Sequence, residues 1–261
     1  MSAVREFTIA LSNWKTTVVF LMVQYLGNRA GAGRLATIFM LAEPLIFIFA
    51  LYLIRGTFRG ALGEYGTSTL LFFVTGLFPY FLFVRTSSLS RVAVNPRQAL
   101  PRIQSMDVFL AQVTANALIW LLVMGCLHVG MWMYGIEQAR PESLSTCAIA
   151  LSLLLLLGVG IGLVNSAISR FFPFWRTIYS IVTRGLLFFS GVLHIPDLYP
   201  LPMRDWLTWN PILHGVTWFR VGVYGRYPSY TLDEAYLVTC TIFLLFLGFI
   251  ADRASLRHGG R

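Results

Sequence analysis

Two charged side chains interrupt otherwise apolar stretches of the sequence. Glu43 stands in "LAEPLIF", beside Pro44, and Arg184 stands in the apolar run 177–194. An ionised group at the centre of a bilayer costs at least about 3 kcal/mol, so such residues line a charged pathway or pair inside the protein. We therefore keep two interpretations of both residues: a substrate pathway, with Arg184 facing an anionic substrate, or buried structural partners.

A second candidate is the aromatic, proline-broken segment 195–226, which contains "DWLTWNPILHG". Its apolar residues recur at helical spacing on both sides of Pro211, which predicts two short helices that meet near Asn210-Pro211 and re-enter one leaflet. Non-helical backbone at membrane depth needs surrounding protein or a water-filled cavity, so the pair is either a gate or an aromatic belt that anchors the loop. The candidate gate residues are Trp206, Trp209, Asn210, Pro211, His214 and Arg220.

A third candidate is the basic segment 91–106, which contains "NPRQALPRIQSM". Asn95-Pro96 is a typical helix start, and the apolar residues that follow predict a short amphipathic helix. Such a helix either docks against a soluble partner or touches lipid head groups. The candidate docking residues are Pro96, Arg97, Leu100, Arg102, Ile103, Met106 and Asp107.

Other chemistries find little support in the sequence. The only lysine, Lys15, follows no glycine-rich loop, so the chain has no Walker A motif and any ATP and Mg²⁺ would have to be bound by another chain. The four histidines have no metal-ligand spacing, and no Ser-His-Asp pattern is present. We therefore expect no catalytic residue, no metal site and no cofactor on this chain.

The elements that carry these candidates are membrane helices. Of the 261 residues, 57% are apolar and 12% are charged, whereas a soluble domain has about 25% charged residues. Six apolar runs are long enough to cross about 30 Å of hydrocarbon. We predict spans at about 35–54, 69–90, 107–134, 147–169, 177–194 and 235–252.

An amphipathic helix is predicted before the first span, over residues 5–28. Its apolar stripe recurs every three or four residues, which is typical of a helix that lies in the membrane interface; a poor seventh span is the alternative. The stripe consists of Phe7, Leu11, Trp14, Val18, Leu21 and Tyr25.

The basic residues orient the spans. With both termini in the cytoplasm, most of the 20 Lys and Arg residues fall on the cytoplasmic side, as the positive-inside rule requires. Segment 91–106 is then cytoplasmic and segment 195–226 is periplasmic. The net charge of +9 is thus a topology signal, and we do not interpret it as nucleic-acid binding.

Small residues recur every four positions in the fourth predicted span, at Gly158, Gly162 and Ser166. Side chains of this size allow neighbouring helices to approach closely. We therefore predict that this face packs against another helix and has no chemical role.

Taken together, these features resemble the membrane subunit of an ABC exporter of the type 2 permease class. The resemblance is strongest to the inner-membrane permease of capsular polysaccharide export in Gram-negative bacteria. It covers nearly the whole chain and depends most on "NPRQALPRIQSMDVFLAQ" and "FFSGVLHIPDLYPLPMRDWLTWNPILHGVTWFRVGVYG". Related permeases for O-antigen and teichoic acid share the general plan.

The resemblance implies a single all-α transmembrane domain over 1–261 that works as a homodimer with two copies of an ABC ATPase subunit. Segment 91–106 would couple to that ATPase, segment 195–226 would cap the exit, and Glu43 and Arg184 would lie near the pathway. A periplasmic export adaptor, an outer-membrane exporter and an acidic glycolipid substrate are implied as well. Another lipid-linked substrate remains an alternative, as does a passive channel or a membrane assembly factor.

Overall fold

The structure is a computed structural model that describes residues 16–25, 27, 46–50, 53, 65–89 and 105–258. Within these residues the secondary structure is helical and includes no strand, which agrees with the predicted all-α class. We number the helices from Thr69 onward. They are α1 (Thr69–Ser87), α2 (Ser105–Met133), α3 (Leu144–Phe171), α4 (Trp175–Phe189), α5 (Leu201–Leu207), α6 (Pro211–Tyr224) and α7 (Glu234–His258).

Four of these helices, α1, α2, α3 and α7, are long and apolar enough to cross a membrane. They correspond to the second, third, fourth and sixth predicted spans. Only residues 46–50 and 53 of the first predicted span, 35–54, are described by the structure, and these are helical. The fifth corresponds to α4, which has 15 residues and therefore a length of about 22 Å. The count of six spans stays a prediction.

Helix α3 occupies the centre of the bundle because its glycines admit neighbouring backbones on two faces. A Cβ at Gly158 would lie 3.0 Å from Thr86 Cβ, and one at Gly162 would lie 3.1 Å from Thr86 O, so α1 packs closely there. On another face, a Cβ at Gly160 would lie 2.7 Å from the Leu244 carbonyl carbon of α7. The predicted packing role of the small residues is confirmed.

Helix α1 contributes more buried apolar side chains to the core than any other described helix. Its side chains Leu71, Phe72, Phe73, Leu77 and Phe83 are completely or almost completely buried. The helix begins at a Ser68 cap, whose Oγ accepts from Leu71 N at 3.4 Å. Helix α7, by contrast, carries many exposed apolar side chains, among them Ile242, Phe243 and Phe246, as expected for a surface that faces lipid or a partner.

Helix α4 ends earlier than the predicted fifth span, which extended to residue 194. The chain leaves it at Ser190, and Gly191 takes a φ of +66°, a conformation that glycine adopts without steric cost. The buried turn that follows leads into the short helices α5 and α6. These two helices meet at Thr208–Asn210, close to the predicted junction at Asn210-Pro211.

The N-terminal segment agrees with part of the predicted amphipathic helix over 5–28. Residues Thr16–Tyr25 form an apolar helix. The predicted stripe residues Val18, Leu21 and Tyr25 are half-buried, whereas Phe20 is 56% exposed. Residue 27 is also helical, and the other residues of the predicted helix lie outside the described part of the chain.

Candidate functional site

A groove of about 490 Å³ runs between α1 and α4. Its lining combines polar side chains with aromatic and aliphatic ones, which is the usual composition of a binding pocket. The side chains that line it are Phe47, Tyr80, Phe81, Val84, Arg85, Ser88, Ser180, Thr183, Arg184, Leu187 and Phe188.

Two arginines face this groove from opposite helices. Arg184 lies in the middle of α4 and is exposed, while Arg85 lies in the last turn of α1 and is half-buried. A cation in the last turn of α1 is favoured by the helix dipole. Guanidinium groups bind carboxylates and phosphates through paired hydrogen bonds, so the groove has the chemistry of an anion-binding site.

Two hydrogen bonds hold the two walls of the groove together. The Tyr80 hydroxyl donates to the carbonyl of Thr183, the residue that precedes Arg184. A second bond connects the Tyr179 hydroxyl to Ser87 Oγ at 2.7 Å. The backbone that carries Arg184 is therefore fixed relative to α1, while its side chain stays accessible.

Arg220 lies in the outer segment 195–226, in surroundings unlike those of the exposed Arg184. It is completely buried, and its guanidinium donates to the carbonyls of Gly191 (2.6 Å), Val192 (2.7 Å) and Phe72 (3.1 Å) and to the Tyr227 hydroxyl (3.1 Å). Its Cζ lies 3.9 Å from the centre of the Phe72 ring, within the range of a cation–π contact. We call Arg220 and these four partners the Arg220 clamp.

His214 is a second buried connector in the outer segment. Its Nε2 donates to Thr208 O at 2.8 Å, and its Nδ1 accepts from Asp233 N at 2.9 Å. These partners require the neutral imidazole. Burial lowers the pKa of His214, which also favours the neutral form. The side chain thereby joins the start of α6 to the residue that precedes α7.

Asn210 caps α6 and fastens it to the end of α4. Its Oδ1 accepts from Ile212 N at 3.1 Å, and its Nδ2 donates to Phe189 O at 3.0 Å and Ser190 Oγ at 2.9 Å. Pro211 follows as the first helical residue, where a missing N–H costs nothing. The two tryptophans of this junction point outward: Trp206 is 82% and Trp209 80% exposed.

The structure therefore divides the predicted gate residues into two groups. Asn210, His214 and Arg220 make bonds that fix the outer helices, and Trp206 and Trp209 present free aromatic faces. Among the other candidates, Met106 and Asp107 lie in the first turn of α2. Outside the described residues lie Glu43, Pro96, Arg97, Leu100, Arg102 and Ile103. All of these functional assignments stay predictions.

Sequence reasoning missed Arg85 as a groove residue, because it counted Arg85 only as a cytoplasmic positive charge. The available signal was its position inside the apolar run 69–90, where a cation is as unusual as Arg184. Reasoning from the sequence also missed Ser87 and Tyr179, whose bond joins the two walls of the groove and which no local pattern distinguishes from ordinary helix residues.

The fold and the groove define a multi-span membrane protein with an anion-compatible cleft among its helices. Known proteins narrow this class further. The chain is 28% identical over 250 residues to the polysialic acid transport protein KpsM of Escherichia coli, a match that covers 92% of this chain and 93% of that protein.

Two further relatives are named capsule polysaccharide export inner-membrane proteins. CtrC of Neisseria meningitidis is 21% identical, with 93% of this chain and 92% of that protein covered. BexB of Haemophilus influenzae is 22% identical, with 88% and 87% covered. No family model matches the chain.

The predicted resemblance to inner-membrane permeases of capsule polysaccharide export is therefore confirmed over about nine tenths of the sequence. The membrane-length helices and the relatives named as inner-membrane proteins together assign the chain to the inner membrane.

Proposed function

We propose that this chain is the transmembrane subunit of an ATP-driven ABC exporter that moves lipid-linked capsular polysaccharide across the inner membrane. The observation that carries the proposal is near full-length similarity to permeases named for capsule polysaccharide export. The arginine groove between α1 and α4 adds the chemistry that an acidic glycan needs.

The groove forms part of the substrate pathway in this proposal. Arg184 and Arg85 would contact carboxylates or phosphates of the passing substrate, and Phe81, Tyr80 and Phe188 would contact its apolar parts. The Arg184 side chain is exposed in the groove, and in a water-filled pathway any single ion pair with the substrate would be weak. Weak, repeated contacts suit a substrate that must pass along the pathway without being held at one place.

Energy would come from a separate ATPase subunit that binds ATP and Mg²⁺. Two copies of the chain would enclose one pathway, and Arg97 and Arg102 in segment 91–106 would dock to the two ATPase copies. The exposed faces of Trp206 and Trp209 would meet the glycan at the periplasmic exit, where Asn210, His214 and Arg220 hold the exit helices in place. A periplasmic adaptor and an outer-membrane exporter would continue the route.

The direct test deletes the gene in its native host and measures surface glycan. Wild-type chain should restore the glycan and should co-purify with a P-loop ATPase in equal amounts. Arg97→Glu and Arg102→Glu should leave the protein level unchanged, reduce ATPase capture and abolish export. Unchanged surface glycan in the deletion strain would refute the proposal, and normal export with either charge reversal would refute the docking role.

The exit assignment has its own test. Trp206→Ala combined with Trp209→Ala should reduce export or raise the permeability of the membrane to small solutes. Leu201→Ala, at an apolar position of α5 that is 63% exposed, is the matched control. Unchanged secretion and permeability in the double tryptophan variant would remove the gate from the proposal and leave an interfacial anchor.

A further inference from the structure

Helices α2 and α3 enclose a second cavity, which shares no lining residue with the arginine groove. Near the start of α2 the two helices touch, since Phe109 of α2 packs in one buried cluster with Val159 and Leu163 of α3. Along the rest of their length they make few close approaches, and a cavity of about 430 Å³ lies between them. We call this cavity the α2–α3 cleft.

The α2–α3 cleft is strongly apolar and connects the core with the outer surface of the bundle. Among its lining residues, Leu82 of α1 and Phe219 of α6 are 3% and 1% exposed. Leu121 and Val129 of α2 also line it and are 41% and 54% exposed. Both α2 and α3 are long and apolar enough to cross a membrane. The cleft therefore opens toward the hydrocarbon of the bilayer and not toward water.

Neither empty space nor water is a stable filling for this cleft. An apolar cavity of about 150 Å³ already binds benzene, and the α2–α3 cleft is considerably larger. A buried water needs about three hydrogen-bond partners. The polar side chains of the lining are those of His128, Cys147 and Ser152, and the Cys147 thiol already donates to Phe219 O at 3.8 Å. An alkyl chain matches these walls better than water does.

His128 gives the cleft one unused hydrogen-bond acceptor. The side chain is 8% exposed, and its Nδ1 donates to Met124 O at 2.9 Å, because a carbonyl oxygen can only accept. The lone pair of the neutral imidazole is then on Nε2, which has no hydrogen-bond partner among the described residues. A buried acceptor without a donor is unfavourable, so the cleft favours a ligand that brings an N–H or O–H group to this wall.

The depth of His128 matches the polar end of a membrane lipid. Helix α2 has 29 residues and is therefore about 44 Å long, which is the thickness of a bilayer with its head groups. His128 stands five residues before Met133, the last residue of the helix, so it lies about 8 Å below that end. Each head-group region is about 5–8 Å thick, and His128 is thus at the level where head groups meet acyl chains.

We propose that the α2–α3 cleft binds one phospholipid of the surrounding bilayer, with an acyl chain in the apolar cavity and a head-group N–H or O–H donating to His128 Nε2. The chain supplies the contacts that α2 and α3 do not make with each other, so the lipid is a structural part of the transmembrane domain. A phospholipid fits because it joins an alkyl chain to a hydrogen-bond donor at the required depth. The site is independent of the arginine groove and of the proposed function.

The first test blocks the cleft from within. Gly125 lines it, and a Cβ at Gly125 would meet nothing within 4 Å, so Gly125→Phe can place its ring in the cleft. Native mass spectrometry of the full-length chain in mild detergent should find one phospholipid per wild-type chain. The lipid-bound fraction of Gly125→Phe should be at least about tenfold lower, since excluding two methylenes from the cleft already costs that factor.

Gly130→Phe is the matched control for the blocked cleft. A Cβ at Gly130 also meets nothing within 4 Å, but this glycine does not line the cleft, so the variant should retain lipid as wild type does. Equal retention by Gly125→Phe and Gly130→Phe overturns the proposal, as does a wild-type chain without phospholipid. A lipid-linked glycan in place of the phospholipid, in protein from the native host, overturns it as well.

The second test asks whether His128 Nε2 accepts a hydrogen bond from the head group. The probes are dimethyl-phosphatidylethanolamine, which keeps one N–H, and phosphatidylcholine with the same acyl chains, which has none. Delipidated wild-type chain should bind the dimethyl lipid about three- to tenfold more tightly, the range of one hydrogen bond. His128→Leu stays apolar but removes the acceptor, so it should bind both lipids equally. A wild-type chain that does not distinguish the probes, or a His128→Leu chain that still does, overturns the proposal.

Discussion

The arginine groove and the Arg220 clamp use the same side chain in opposite ways. In the groove, Arg184 is exposed and shares a cleft with Arg85. In the clamp, Arg220 is completely buried, and three backbone carbonyls and one hydroxyl surround its guanidinium. The Arg184 guanidinium can bind a ligand, whereas both terminal nitrogens of the Arg220 guanidinium already donate to the protein.

This difference shows that the surrounding acceptors, and not the residue type, decide what a membrane-protein arginine does. A buried cation is tolerated only where dipoles replace the lost water. The turn at Gly191 supplies two such carbonyls, and α1 supplies the third. Among the described residues no comparable turn reaches Arg184, and its side chain is exposed in the groove. Mutations in the clamp should therefore lower the stability of the protein, and mutations in the groove should reduce transport.

The largest expected effect is the loss of the Arg220 clamp. Arg220→Met keeps volume but leaves the Gly191, Val192 and Phe72 carbonyls without this donor, so we expect a loss of roughly 3 kcal/mol or more in the free energy of unfolding. Thermal unfolding of the detergent-purified protein measures it. Arg140→Met, at an exposed site, is the control. Equal unfolding temperatures for the two variants would show that the clamp is not structural.

Glycine substitutions test the same comparison between clamp and groove without changing a charged side chain. A Cβ at Gly76 would collide with the Arg220 guanidinium and lie 2.7 Å from Val192 O, whereas a Cβ at Gly185 meets nothing within 4 Å. We expect Gly76→Ala to lower the unfolding temperature strongly. Gly185→Ala should leave the unfolding temperature unchanged or raise it, because alanine is up to about 1 kcal/mol more favourable than glycine inside a helix. Equal effects at both positions would contradict the packing of the clamp.

Arg184 should show the reverse pattern, with transport affected and stability kept. Arg184→Glu places a repulsive charge in the groove, and export of an acidic glycan should fall about tenfold or more, while the unfolding temperature stays within the error of wild type. Arg184→Lys keeps the charge but loses the paired geometry, so its export should be intermediate. Surface glycan and unfolding are measured on the same strains. A destabilised Arg184→Glu protein with normal export per molecule would assign Arg184 to structure.

The smallest expected effect is a pH dependence from His214 in the outer segment. Its pKa in the folded protein lies below the ordinary value of 6.5 because of burial. The unfolded chain therefore binds more protons just below pH 6.5, and stability should fall as the pH drops from 6.5 toward the folded pKa. His214→Gln should flatten this slope. Unfolding temperatures between pH 7.5 and 5 measure it, and an unchanged slope would mean that another group titrates.

Much of the helical layout could be predicted from apolar runs alone. The second, third, fourth and sixth predicted spans match α1, α2, α3 and α7 to within a few residues, and prolines around Asn210 predicted the α5–α6 pair. The early end of α4 could not be predicted in this way, because "FFSGVLH" stays apolar through the turn that ends the helix. Gly191 is the one local signal of that turn. The bond from Arg220 to Phe72 O and the bond from Tyr179 to Ser87 were equally hidden, since their partners are far apart in sequence.

The sequence by itself determined that this chain is a membrane protein, where its four long apolar helices lie, and which known permeases it resembles, because these properties depend on local hydropathy and on residue order. Tertiary structure alone decided which arginine stays accessible. Arg85 and Arg184 face one groove although 99 positions separate them, and Arg220 meets Phe72 across 148 positions. Long-range packing of helices sets which acceptors surround each charge, and no local pattern records it.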